Sequence, residues 1–196
     1  VRYNLMNLDE YGGASKGLIW DAIERGLPIQ KYIAKKHFSF MTLNYLITVL
    51  SAKHNLDDFP FDEYDDDQIR HLLAAVYFQN DWKEWANPKM KHYIMEMFVA
   101  VKNPQELLYY YNRGFKYREL LQIYKFINDG FDPKIIDNLD FNFQQMREIR
   151  KALRGKLPVK DLANPNLTWK EIRAKRIKAY GHRYGIEFYI KNYDKL

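Results

Sequence analysis

The chain has 196 residues, 47% hydrophobic and 16% aromatic, with 31 Lys/Arg against 25 Asp/Glu for a formal net charge of +6. So much apolar side chain excludes wholesale disorder and suits one domain or one array of repeats. The lack of cysteine excludes disulfides and thiolate chemistry, which fits a reducing cytoplasm. No apolar run reaches the roughly 18 residues of a membrane span, and no signal peptide is visible.

Residues 1–14 carry Tyr3, Leu5, Met6, Leu8 and Tyr11 ahead of Gly12-Gly13 and read as a lead-in arm. The first helix starts near Ser15, runs through Ile19, Trp20 and Ile23, and stops at Gly26-Leu27-Pro28; Gln30 to Lys36 forms its short partner. A Leu/Ile-rich helix follows from Ser39 to about His54. Next come Asp57, Asp58, Asp62, Glu63, Asp65, Asp66 and Asp67. Their spacing matches no calcium loop, and acids before a helix N-terminus suit its dipole. A metal-dependent hydrolase at this segment is the lowest-ranked alternative.

The third unit starts at Asp65 and holds Trp82 and Trp85, expected in the core. A fourth begins at Lys91, breaks at Asn103-Pro104 and continues through Tyr109, Tyr110 and Tyr111. Three consecutive tyrosines cannot all face one core. Together with Phe188 and Tyr189 of the tail they offer an aromatic surface for a protein partner. The fifth unit runs from Lys116 to Phe141 and the sixth from Asn142, with a tight turn at Gly155-Lys156-Leu157-Pro158. A seventh helix begins at Thr168.

These starts form a register. Ser39, Asp65, Lys91, Lys116, Asn142 and Thr168 lie 25 or 26 residues apart. Four of them are good N-caps, and Asp65–Gln68, Asn142–Gln145 and Thr168–Glu171 read as capping boxes. Four residues past each cap lie Leu43, Ile69, Met95, Leu120, Met146 and Ile172. Seven past it lie Leu46, Leu72, Phe98, Ile123, Ile149 and then Lys175. Both offsets fall on one helix face. The fold expected is all-α: a single domain over 1–196, built as a solenoid-like array of six to seven two-helix repeats over 15–168. Residues 169–196 add a basic terminal helix and an aromatic tail. Glycine is expected to end the first helix of a unit, as at Gly26-Leu27-Pro28 and around Gly155 and Gly130. The middle units lack that signature.

Residues 143–196 hold 14 Lys/Arg and 5 Asp/Glu, whereas the other 142 residues hold 17 and 20. A basic end on a mildly acidic body points to an anionic partner there. Trp169, Ile172, Ile177 and Tyr180 form an apolar stripe on the last helix, and Arg173 and Arg176 fall in the same arc. The candidate binding residues are Lys170, Arg173, Lys175, Arg176, Lys178, Tyr180 and Arg183, an aromatic and guanidinium surface for phosphates or stacked bases. No zinc motif, nucleophile elbow, phosphate loop or dinucleotide fingerprint occurs. Neither catalytic residues, metal nor cofactor is expected.

Met146-Arg147-Glu148-Ile149-Arg150, with Leu162-Ala163-Asn164-Pro165 and its echo Trp85-Ala86-Asn87-Pro88, resembles short helical repeats in proteins of phages and mobile elements of Gram-positive bacteria. The match is strongest over 117–180. The resemblance implies a repeat scaffold rather than an enzyme. It further implies a binder in the host cytoplasm, inhibiting a defence nucleoprotein such as a CRISPR effector (an anti-CRISPR role). The expected partner is nucleic acid or a nucleoprotein at the basic end, or alternatively a protein alone through the exposed aromatics.

Overall fold

The computed structural model describes residues 8–184, with side chains through His182. Nine α-helices and no strand occur among the described residues: α1 (Gly13–Glu24), α2 (Gln30–Ile33), α3 (Phe40–Ser51), α4 (Asp66–Tyr77), α5 (His92–Ala100), α6 (Pro104–Asn112), α7 (Tyr117–Asp129), α8 (Phe143–Arg154) and α9 (Trp169–Tyr184). None of these is long and apolar enough to cross a membrane. The chain divides into two compact units, Val1–Ala100 and Val101–Leu196.

In the first unit α1 packs on α3, α3 on α4 and α4 on α5; in the second α6 packs on α7, α7 on α8 and α8 on α9. Short amphipathic helices of this length do not persist alone, so each buries its stripe against the next. Leu43, Ile69, Met95, Leu120, Met146 and Ile172, all four residues past a cap, are fully buried. Leu46, Leu72, Phe98, Ile123 and Ile149, seven past it, are fully buried too, whereas Lys175 at that offset is exposed.

The caps fall where the register puts them. Ser39, Asp65 and Asn142 each accept a backbone N–H of their first turn, and Asp65–Gln68 and Asn142–Gln145 close complete capping boxes. Thr168 and Glu171 exchange the same two bonds, at 2.7 and 3.3 Å. The two glutamines do more than cap. The Gln68 amide donates to the carbonyls of Pro88 (2.9 Å) and Met90 (2.7 Å), and Gln145 donates to Pro165 (2.9 Å) and Leu167 (2.5 Å). Each pair of carbonyls lies just before the next helix start, so one side chain caps its own helix and fixes the entry to the following one.

Helix ends repeat as well, though not by glycine alone. Five of the six positive-φ residues among the described ones, all but Gly114, share one arrangement: Gly26, Lys53, Gln79, Gly130 and Lys156. At each, the next residue's N–H reaches the carbonyl five back: Leu27 to Ala22, His54 to Val49, Asn80 to Ala75, Phe131 to Phe126 and Leu157 to Ala152. This is one Schellman motif used five times. The middle units, read as lacking it, carry it on Lys53 and Gln79. Around Gly155 the left-handed residue is Lys156, not the glycine, whose φ is −82°.

The expected two-helix unit is only partly realised. The element after the long helix is a helix at α2 and α6, a 3-10 turn at Trp82–Glu84 and Pro133–Ile136, and turns after α3 and α8. Those turns are held by side chains: Asn55, Asn87, Asp132, Asn138 and Asn164 each accept the N–H two residues on. Such Asx turns compete with helix over segments this short.

Four of the seven acids of the acidic segment hold the fold together. Asp57 pairs with Lys31, Asp65 caps α4, and Asp67 pairs with Arg70 at 2.9 Å. Asp66 accepts from Ser39 N (3.1 Å) and Thr42 Oγ1 (2.9 Å), tying α4 to α3. No cluster of three or more His, Cys, Asp or Glu side chains suited to a metal ion occurs among the described residues. Trp85 is buried, stacked on Phe98 and donating to Asn80 Oδ1, whereas Trp82 is half-buried.

His71 of α4 stacks at 6.1 Å on His92 of α5, and its buried Nε2 has no hydrogen-bond partner among the described residues. Burial holds the imidazole below its ordinary pKa; Arg70 and His92 push the same way, while Glu96 and Asp67 oppose them. A depressed folded-state pKa means that the unfolded chain takes up the proton first. Stability is therefore lost as pH falls through the ordinary value of 6.5. The wild-type melting temperature is expected to drop more between pH 7.5 and 5.5 than that of His71→Gln. Equal drops would show that His71 contributes nothing to the pH dependence.

Candidate functional site

The chemistry gathers where α8 meets α9. Both helices begin with a capping box, and Gln145 sets the distance between their starts. The Thr168 hydroxyl and backbone N–H hold the Glu171 carboxyl below the usual range, which keeps the α9 cap charged and closed. Met146, Ile149 and Ala152 of α8 face Ile172 and Tyr180 of α9, all within 1% of full burial.

Inside this contact lies an ion pair. Glu148 is 1% exposed and Arg176 3%. Nε and Nη2 of Arg176 donate to Oε2 of Glu148 at 3.1 and 2.8 Å. The Tyr180 hydroxyl donates to the Lys151 carbonyl at 3.2 Å, and the Arg176 guanidinium lies 5.8 Å from the Tyr180 ring centre. Arg176 Nη1 is buried and has no hydrogen-bond partner among the described residues.

The sequence candidates therefore separate. Lys170, Lys175 and Lys178 are exposed and Arg173 is half-buried; the Lys170 ammonium sits 5.8 Å from the Trp169 ring centre. Arg176 and Tyr180 are not surface groups: the arc that places them beside Ile172 is the arc that packs on α8. Phe188, Tyr189 and the side chain of Arg183 lie outside the described residues. Of the three tyrosines, Tyr109 is 54% exposed, Tyr111 is half-buried and Tyr110 is 2% exposed. Burial pushes the Tyr110 phenol far up from its ordinary pKa, so it is a core group rather than part of a partner surface. The exposed Tyr109 ring carries the Arg113 guanidinium at 5.6 Å.

Four basic residues of α8 were missed by looking only at α9. Arg147 and Arg154 are exposed, and Arg150 and Lys151 are half-buried. Arg147, Lys151 and Arg154 sit five, nine and twelve residues past the Asn142 cap. The same offsets from Ser39 are Asn44, Thr48 and Ser51, which line an open groove with Ile47, Tyr77 and, from α1, the paired Asp21 and Arg25. The face is thus polar and uncharged on α3 and cationic on α8. Its α9 counterpart at offset five is Arg173. The register contained this signal, but the core offsets of four and seven do not reveal which flanking face stays open.

Asp129 accepts Arg150 at 2.8 Å and touches Arg154 at 3.7 Å. Glu148 Oε1 lies 3.9 Å from Arg147 Nε. Partial burial holds the Lys151 ammonium below its ordinary pKa; Arg176, Arg147 and Arg173 push it further down and Glu148 opposes them. Three guanidinium groups thus act on one lysine, and the nearby acid is already occupied by Arg176.

No protein-family model matches the chain, and neither a curated protein nor a solved structure does. What this surface can do follows from its own groups. Guanidinium and ammonium donors on an open face suit the binding of anions.

Proposed function

We propose that the chain is a non-catalytic binding protein, a solenoid-like array of repeats of about 26 residues that engages nucleic acid or a nucleoprotein through its basic C-terminal end. The observation that carries this reading is the cationic face of α8 and α9, where Arg147, Arg173 and the buried Arg176–Glu148 pair all act on Lys151. Electrostatic binding of this kind is sequence-tolerant and releases counterions. The resemblance to phage and mobile-element repeats extends the proposal to inhibition of a bacterial defence nucleoprotein of CRISPR type in the host cytoplasm.

A second reading, binding to a protein alone, draws on the exposed aromatics, with Phe78 64% and Tyr109 54% exposed. The two differ in salt dependence. Fluorescence anisotropy with labelled duplex DNA, single-stranded DNA and RNA is expected to show binding at low salt that weakens by a factor of ten or more at physiological salt, as for roughly three phosphate contacts. Failure to bind any of the three probes at low salt would remove the nucleic-acid reading and leave the protein-only one.

A further inference from the structure

The row on α8 has a length, and the length selects the ligand. Arg147, Lys151 and Arg154 are one helical face at steps of four and three residues. At about 1.5 Å per residue the row runs roughly 10 Å along the helix axis. Arg173 stands beside it on α9, one packed helix away, a separation of about 8–10 Å. A single carboxylate or free phosphate meets only one end of such a row. An extended chain of phosphates meets all of it.

Arg147 and Arg154 of the row are exposed, and Lys151 and Arg173 are half-buried. Partial burial and three neighbouring guanidinium groups hold Lys151 below its ordinary pKa, so it gains from any anion that joins it. Arg176, although buried, keeps Nη1 without a hydrogen-bond partner among the described residues and adds its charge from below. Two acids, Glu148 and Asp129, serve Arg147, Arg150, Arg154 and Arg176 between them, so cations outnumber acids on this face.

We infer that the face of α8 and α9 formed by Arg147, Lys151, Arg154 and Arg173 is the binding track for the phosphodiester backbone of a single nucleic-acid strand. The outer lysines of α9, Lys170, Lys175 and Lys178, contribute only general charge. This rests on the nucleic-acid reading above and assigns it mainly to α8, with Arg173 as the contribution of α9. Contacts of this type position a strand without reading its bases.

The test uses the full chain and a labelled 20-nucleotide oligo-dT, with anisotropy measured from 50 to 200 mM salt. The triple variant R147Q/K151Q/R173Q is expected to bind about tenfold or more weakly, with a salt slope shallower by roughly two, about 0.7 per lost contact. R147Q/K151Q, which leaves α9 intact, is expected to lose about two-thirds of that slope change, on the same per-contact value. K35Q/K89Q, a control for net charge on residues 1–100, is expected to stay near wild type. Circular dichroism checks that each variant is folded. The inference is overturned, with the nucleic-acid reading intact, if the track variants bind like wild type or if K170Q/K175Q/K178Q weakens binding more than they do. A wild-type chain that binds no probe overturns both.

Discussion

Replacing Arg176 with alanine is expected to cost about 3–5 kcal/mol of stability, because it strands the Glu148 carboxylate in the interior. The pair is almost wholly shielded from water, at 3% and 1% exposure, so solvent cannot take over the arginine's role. Two of the guanidinium donors are spent on one oxygen, at 3.1 and 2.8 Å, and their loss leaves a buried acceptor unmatched. Urea denaturation of R176A against wild type measures the effect. A loss below about 1 kcal/mol, the worth of an exposed pair, would show that the side chain is wetter than its burial indicates. The pair need not be favourable overall, since ionic groups brought into an interior are costly even when matched. Replacing both with methionine is therefore expected to recover most of the stability lost by R176A. If the double variant is as unstable as the single, the loss comes from packing around Arg176 and not from the stranded charge.

Gly155→Ala should also be strongly destabilising, for a reason that backbone conformation does not supply. With φ at −82°, alanine fits the backbone there, and on conformational grounds alone the change would stabilise by about 0.4–1 kcal/mol. Yet a Cβ added at Gly155 would have Cε1 of Tyr180 at 2.6 Å, with Cζ and the hydroxyl closer still. Tyr180 is 1% exposed and is anchored to the Lys151 carbonyl, so the ring must leave its place against α8. Overpacking of this kind costs about 1–3 kcal/mol and at times more. The expected result is a net loss of about 2 kcal/mol or more, and a double-mutant cycle identifies its source. In a Tyr180→Ala background G155A should be close to neutral, because the atoms it meets are gone. A loss that persists there would place the cost elsewhere in the turn.

Both predictions concern the same pair of helices, and both bear on the proposed binding. Arg176 and Tyr180 set how α9 lies on α8, and that placement brings Arg173 to the side of Arg147 and Lys151. A variant that loosens the pair should weaken binding without removing any exposed charge, whereas the track variants remove charge without loosening it.

The sequence alone determined what depends on a few neighbouring residues. The N-caps at Ser39, Asp65 and Asn142 could be read because a capping box needs only four residues. The buried positions at offsets four and seven could be read because one helix face repeats within a single helix. The turns after α1 and α8 were visible at Gly26-Leu27-Pro28 and Gly155-Lys156-Leu157-Pro158, whereas the left-handed residues Lys53, Gln79 and Lys156 were not, because there the following hydrogen bonds impose that conformation on residues that do not advertise it. Gly155 was noticed, but as a conformational residue; that it makes room for Tyr180, 25 residues away, exists only once α9 packs on α8. The same packing decided Arg176. By its position among apolar residues it could have served either as a surface guanidinium or as an internal one, and Glu148 on the neighbouring helix fixed the outcome. Which side of α8 is covered and which stays open is likewise set by its neighbours, so the row of Arg147, Lys151 and Arg154 became a surface only in the tertiary structure.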